Sequence, residues 1–217
     1  MSVPATPPTP PAPASRNRLI EAAARVYACA GFRGATTRRI AEAAGVNEVT
    51  IFRLFGSKAA LIDAAVRLHA GVDVDPVVAL PDEPVDPEPE LTAWCEAHLA
   101  QLRERRSFIR QSMGELAERP EAKPCAAQGT GLAAGELKRY MCRLYNGGFV
   151  QDSSHRPGER DEEAHAAGAM LMAALFGDAM GRDLMPEMYP QPAERAAALY
   201  VRLFLRAIRC APAEAQG

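Results

Sequence analysis

Between Gly45 and Leu61 the chain reads GVNEVTIFRLFGSKAAL, setting Asn47, Glu48, Thr50 and Arg53 among apolar residues. These are hydrogen-bonding side chains rather than the machinery of bond cleavage. Asn47, Thr50 and Arg53 suit base edges or nearby phosphates, and Glu48 can accept from a cytosine amine or stay a solvated surface charge. Val49 can touch a thymine methyl; Val49 and Phe52 also read as packing residues, and Arg53 as a phosphate contact. Elsewhere little suggests catalysis. His69, His98, His155 and His165 show no metal-ligand spacing with one another or with cysteine. Glu162, Glu163 and His165 read as a solvated helix start, and no G-x-S-x-G elbow or phosphate-cradling glycine loop occurs. No catalytic residue, metal or cofactor is expected.

The elements that would position those side chains are short helices. Ser15 reads as an N-cap, and Leu19, Ile20, Ala23, Val26, Tyr27 and Ala30 recur at helical spacing until Gly31 ends the run. Thr36 or Thr37 caps a second helix with Ile40 and Ala44 inward, and Gly45 stops it. Ile51 and Phe55, four apart, form the inner face of the opening segment. Ser57 then caps a fourth helix through Leu61, Ile62, Ala65, Val66 and Leu68. A helix, a glycine turn and a second short helix make the plan of a helix-turn-helix, whose second helix lies in a DNA major groove. Thr36, Thr37 and Arg38 at one helix start, and Ser57 with Lys58 at another, put donors and positive charge where phosphates are favoured. The threonines and Ser57 also read as plain caps. Lys58 reads as a phosphate contact, because an exposed lysine there has little structural purpose.

Net charge is −2, but residues 15–70 hold eight Arg and one Lys against four acids, or +5. A basic head on an acidic body points to a polyanion at one end. The chain has 217 residues and nearly half are hydrophobic, enough for one or two domains with a real core. Few aromatics and abundant alanine favour helices. No apolar run approaches the roughly 20 residues of a bilayer span, and the N-terminus lacks a basic start and apolar stretch of a secretory signal. The scattered cysteines Cys29, Cys95, Cys125, Cys142 and Cys210 read as reduced, mostly buried thiols of a cytoplasmic protein. A redox sensor would instead need Cys95, Cys125 or Cys142 exposed with a lowered pKa.

The composition divides the chain into a disordered Pro-rich arm (1–14), a helix-turn-helix domain with a fourth, connecting helix (15–70), a Pro-rich acidic linker (71–90), a helical domain (91–209) and a flexible tail (210–217). Helical spacing recurs over Leu91–Glu118, breaking near Arg106, then over Leu132–Leu144, Glu162–Met180 and Ala193–Ile208. The expectation is an all-α fold of about nine helices.

The stretches RLIEAAARVYACAGFRGATTRRIAEAAGV and NEVTIFRLFGSKAALI resemble the DNA-binding domain of the tetracycline-repressor (TetR) family over about 55 residues, including G-F-x-G-A-T-T, I-A-x-A-A-G-V and F-G-S-K-A-A-L. Two positions depart from the pattern. Phe52 stands where the family usually has a tyrosine whose hydroxyl meets a phosphate, and Leu54 stands where histidine is common. The resemblance implies a homodimeric, ligand-responsive repressor on a near-palindromic operator, with a C-terminal domain that binds a small apolar molecule and pairs through its last two helices. On that basis the ligand site is expected at Trp94, His98, Leu102, Met113, Leu116, Tyr140, Leu144, Met170 and Phe176. The dimer interface is expected at the small stripe Ala166, Ala169, Ala173 and Gly177 and the apolar face Ala197, Tyr200, Val201, Phe204 and Ile208. The alternative is a DNA-binding module without a ligand that recruits a protein partner.

Overall fold

The computed structural model describes residues 13–69, 78–116, 123–151 and 156–211. Residues 1–12 of the expected Pro-rich arm, 71–77 of the expected linker and 212–217 of the expected tail lie outside them. The described residues form nine α-helices: α1 Pro13–Gly34, α2 Thr37–Ala44, α3 Val49–Phe55, α4 Lys58–His69, α5 Pro87–Glu104, α6 Arg106–Glu115, α7 Lys123–Asn146, α8 Pro157–Gly181 and α9 Ala196–Ala207. Two short 3₁₀ turns, Pro186–Met188 and Ala193–Arg195, precede α9. Among the described residues there is no strand, and one isolated antiparallel bridge joins Val150 to Cys210. The fold is all-α.

The helices gather into two compact units. The first comprises α1 to α4 together with α6, and buries one contiguous core. Leu19, Ala22, Ala23 and Tyr27 of α1 pack with Ile40 of α2, Ile51 of α3, Leu61, Ile62 and Ala65 of α4, and Phe108 of α6. Ser15 is not the cap expected from sequence, because α1 already begins at Pro13. Gly31 breaks α1 as expected, with φ 65° and ψ −178°, a backbone region open essentially to glycine alone.

α6 is the main departure from the sequence-based division, which set residues 91–118 together. It packs in the first unit, while α5 belongs to the second. The reason is a specific clasp. The Phe108 ring lies 5.1 Å from that of Tyr27. The Glu115 carboxylate accepts from Tyr27 Oη at 2.8 Å, from the Phe32 backbone N–H at 2.6 Å and from Gln111 Nε2 at 2.9 Å. A backbone N–H freed by the Gly31 kink thereby finds an acceptor.

The second unit comprises α5 and α7 to α9. Its core takes Leu91, Trp94 and Leu99 from α5, Leu137, Met141 and Leu144 from α7, Leu171 and Leu175 from α8, and Val201 and Phe204 from α9. α5 begins at Pro87, ahead of the expected Leu91, with proline in the first turn where its missing N–H costs nothing. Glu90 reaches back to accept from the N–H groups of Val85 and Asp86 at 3.0 and 2.9 Å. The preceding loop is anchored, since Leu80 packs on the core and its N–H donates to Glu136 at 2.8 Å.

Asp178 of α8 is fully buried. It accepts from Arg103 Nη2 at 2.7 Å, from Arg182 Nε at 2.8 Å and from Tyr200 Oη at 2.9 Å, joining α5, α8 and α9. Burial alone would push its carboxyl up; the hydrogen bonds from Arg182, Arg103 and Tyr200 outweigh that and hold it below the ordinary value.

Two of the positive-φ glycines of the first unit separate conformational strain from crowding. A Cβ on Gly45 (φ 65°) would meet nothing within 4 Å, whereas one on Gly31 would lie 2.5 Å from Glu115 Oε1 and 2.8 Å from Gln111 Nε2. Gly45→Ala is expected to cost about 1 kcal/mol in denaturant unfolding. Gly31→Ala is expected to cost roughly 2–3 kcal/mol, because backbone strain adds to a displaced Glu115 clasp.

Candidate nucleic-acid interface

α2 and α3 are joined by a turn that the local sequence specifies. Thr36 caps α2, its hydroxyl oxygen accepting from Arg39 N–H at 3.3 Å. Gly45 closes the helix in the left-handed conformation, its N–H meeting the Glu42 carbonyl at 3.2 Å, and Val46 N–H bonds Ala41 O at 3.0 Å. Asn47 Oδ1 accepts from Val49 N–H at 2.9 Å and starts α3. Ser57 caps α4 through Ala60 N–H at 3.1 Å. The expected caps at Thr36 and Ser57 are therefore present. Both side chains are exposed, and each hydroxyl keeps its own proton to donate outward.

α3 divides into two faces. Ile51 is fully buried, and Leu54 and Phe55 pack half-buried against the same core. On the other side Val49 is 69% and Phe52 52% exposed, with Arg53 exposed beside them. Neither Val49 nor Phe52 is a core residue, which settles the packing alternative. Thr50 is half-buried at the edge.

Three expected contacts have other engagements. The Glu48 carboxylate accepts a short hydrogen bond from the Thr37 hydroxyl, tying the start of α3 to α2. Arg38 pairs with Glu42 at 2.9 Å on the open surface of α2. Lys58 is the clearest correction. Its ammonium donates to the Phe32 carbonyl at 2.7 Å and sits 4.0 Å from the centroid of the Phe32 ring. It has a structural purpose after all, fastening the start of α4 to the segment after the Gly31 kink.

Among the described residues, those expected to line a ligand site fall at several places in the fold. Met113 is 52% exposed and, with Leu116, belongs to the first unit. Met170 is 63% exposed. Trp94, Tyr140 and Leu144 are core residues, and Leu102 packs half-buried on that core. Trp94 Nε1 donates to Glu136 at 3.0 Å and Tyr140 Oη to Glu90 at 2.6 Å. Tyr140 also borders a cleft of about 270 Å³ against Leu80 and Arg143, while Phe176 borders a separate groove of about 330 Å³ between α7 and α8. His98 stacks on Trp94 at a centroid distance of 4.8 Å. Burial, helped by Arg105 and opposed by Glu136, pushes its pKa down to about 4.

The expected dimer residues divide by helix. Ala166, Ala169 and Ala173 face outward on α8, with Gly177 half-buried. The α9 face is turned the other way: Ala197, Val201 and Phe204 are buried in their own core, Ile208 packs against it, and Tyr200 bonds inward to Asp178. The large apolar residue that α9 shows to solvent is Leu203.

The thiols give no sign of redox poise. Burial pushes Cys95 up to about 12 and Cys210 to about 11, and raises Cys142 as well. The Cys125 side chain lies outside those described; Cys95 is buried, Cys142 and Cys210 are half-buried and Cys29 is exposed. Sequence reading also missed Glu115, Glu136 and the Asp178 cluster. Asp178 had a signal, as the one acid in the otherwise apolar run MLMAALFGDAMG.

Two measurements test these assignments. Lys58→Met is expected to lower stability by about 1 kcal/mol, since it loses a hydrogen bond and a cation–π contact; a lysine serving phosphate alone would leave the midpoint unmoved. For His98, the unfolded chain binds a proton near pH 6.5 that the folded chain refuses until about pH 4. Stability should therefore fall as pH drops through that window, by an amount on the order of 2–3 kcal/mol, and His98→Gln should flatten that part of the curve.

Residues 19–71 match the family of bacterial regulatory proteins named tetR. Over 56 residues, 26% of this chain, the sequence is 39% identical to an uncharacterized HTH-type transcriptional regulator, YvkB, of Bacillus subtilis (strain 168), and the match spans 30% of that protein. Solved structures share the fold across nearly the whole chain. A TetR-family transcriptional regulator from Mesorhizobium loti MAFF303099 has a TM-score of 0.68 at 21% identity, over 91% of this chain and 98% of its own. The fatty acid degradation regulator FadR from Bacillus halodurans has a TM-score of 0.70 at 20% identity, over 94% and 100%. The flavonoid-responsive regulator FrrA has a TM-score of 0.63 at 18% identity, over 90% and 97%. Residues 19–71 are thus similar to the DNA-binding domain of the tetR family of bacterial regulatory proteins, and the chain as a whole shares the fold of solved regulators of that family.

Proposed function

We propose that the chain works in the cytoplasm as a homodimeric repressor on a near-palindromic operator and is released by a small apolar molecule. The observation that carries this reading is α3, a short helix held by its inner face with Val49, Phe52 and Arg53 turned outward beside a basic surface. One chain offers one such helix, and a two-fold operator takes two. Support for pairing comes from the outward row Ala166, Ala169, Met170 and Ala173 of α8, beside the groove between α7 and α8. Small side chains allow close helix approach, and an apolar row in water gains by being covered. Leu203 of α9 extends the apolar surface available to a second copy.

The effector is assigned to the second unit. A flavonoid-responsive regulator shares this fold, and that is an analogy of architecture. Release requires the effector to bind the DNA-incompetent arrangement more tightly than the competent one. A second reading, a DNA-binding module that recruits a protein partner, draws on the same groove, which is mainly apolar and open to solvent.

Selection of bound sequences from a random DNA pool with the full chain, at two salt concentrations, tests the reading. A two-fold symmetric consensus, with affinity falling steeply as salt rises, is the expected result. Equal affinity for the consensus and for scrambled DNA would overturn it. Ala169→Glu should keep the native helical content, shift the sedimenting species to monomer, make the unfolding midpoint independent of protein concentration and weaken operator binding by more than tenfold. Dimers that persist would move the α8 row to the partner-recruiting reading.

A further inference from the structure

The outward face of α3 is more apolar than a surface reading polar base edges would need. Val49, Phe52 and Arg53 stand at i, i+3 and i+4, so they form one row, and all three are exposed. The polar groups that precede the row are already partly in use. Glu48 is tied through one carboxylate oxygen to Thr37, which fixes the direction in which its second oxygen can accept. The Asn47 oxygen accepts from Val49 N–H, which occupies one of its two lone pairs and orients the side chain along the start of α3. The row thus sets an isopropyl group and a benzyl group in water beside the Arg53 guanidinium.

Two large apolar side chains one turn apart, on a helix of seven residues, stabilise nothing while they face water. Residues 15–70 around them carry a net charge of +5, which suits a polyanion and disfavours a purely apolar partner. The major groove offers a single apolar group on its base edges, the C5-methyl of thymine. We propose that Val49 and Phe52 read thymine methyls in each operator half-site, and that Arg53 supplies the polar contact flanking them. The proposal rests on the operator-binding reading above and names the bases it uses. Geometry limits where those bases lie. Three residues of helix advance about 4.5 Å, close to one base-pair step of about 3.4 Å. The two thymines should therefore occupy the same or neighbouring steps, on either strand. Phe52 also gains a role here, since its exposed ring offers an apolar face to a methyl.

The test uses the full chain and its selected operator. Each thymine of one half-site is replaced in turn by deoxyuridine, which removes the methyl and leaves every hydrogen-bonding group in place. Affinity is expected to fall about fourfold at one or two neighbouring positions, the effect of one buried methyl. The same scan with Val49→Ala and Phe52→Ala assigns the contacts. Each variant should bind the natural operator more weakly, lose sensitivity at its own position and keep the native unfolding midpoint. Specific binding that ignores deoxyuridine at every position would overturn the proposal while leaving operator binding intact. So would a loss that persists in both variants. A selection that returns no consensus would overturn the operator reading itself.

Discussion

A helix of seven residues does not hold its shape alone in water, because nucleation fixes several dihedral angles before propagation adds bonds. α3 has that length, so all that it presents depends on how its inner face is seated. Ile51 enters the core shared by α1, α2 and α4, and Leu54 and Phe55 close over it. The glycine turn at Gly45 sets the entry of the chain, Asn47 supplies the first cap, and the Thr37–Glu48 bond fixes the start of α3 against α2. Glu48 works here as a joint in the scaffold. The exposed residues are thereby free to be chosen for recognition alone.

The second unit solves a different problem, the burial of a charge. An unpaired carboxylate removed from water is expensive, and even a paired one needs its remaining lone pairs satisfied. Asp178 meets this with two guanidinium groups and a phenol, drawn from α5, α8 and α9. Arg103 also donates to the Ala193 carbonyl at 3.3 Å, and Arg182 to the Pro190 carbonyl at 2.7 Å. The irregular stretch between α8 and α9 is thus secured by the same cluster. Because Tyr200 takes part, the inward rotation of α9 is specified by a hydrogen bond as well as by apolar area.

Sequence reading recovered what is local and missed what depends on partners. The caps at Thr36 and Ser57, the glycine stops at Gly31 and Gly45, and the two faces of α3 follow from residue types within a few positions. Periodicity identified an apolar face on α9 but not what it faces, and Val201 and Phe204 proved to fill their own core. The same limit hid α6, whose place follows from Tyr27 and Phe32, more than 80 positions away in the chain. Lys58 was misread because a nearby carbonyl and ring at Phe32 cannot be inferred from spacing. For the expected ligand residues the signal itself is ambiguous, since Met and aromatic side chains at helical spacing describe a core as well as a pocket.

The matched family segment ends at residue 71, yet the first unit is completed by α6. The boundary recorded by sequence similarity is therefore not the boundary of the folded module. A head cut from this chain at the family boundary would leave Tyr27 Oη and Phe32 N–H without the Glu115 carboxylate, and the Tyr27 ring without Phe108. Grafting this reading head onto another body therefore means carrying α6 along, or finding in the recipient a helix that offers an aromatic ring and a carboxylate seven residues apart.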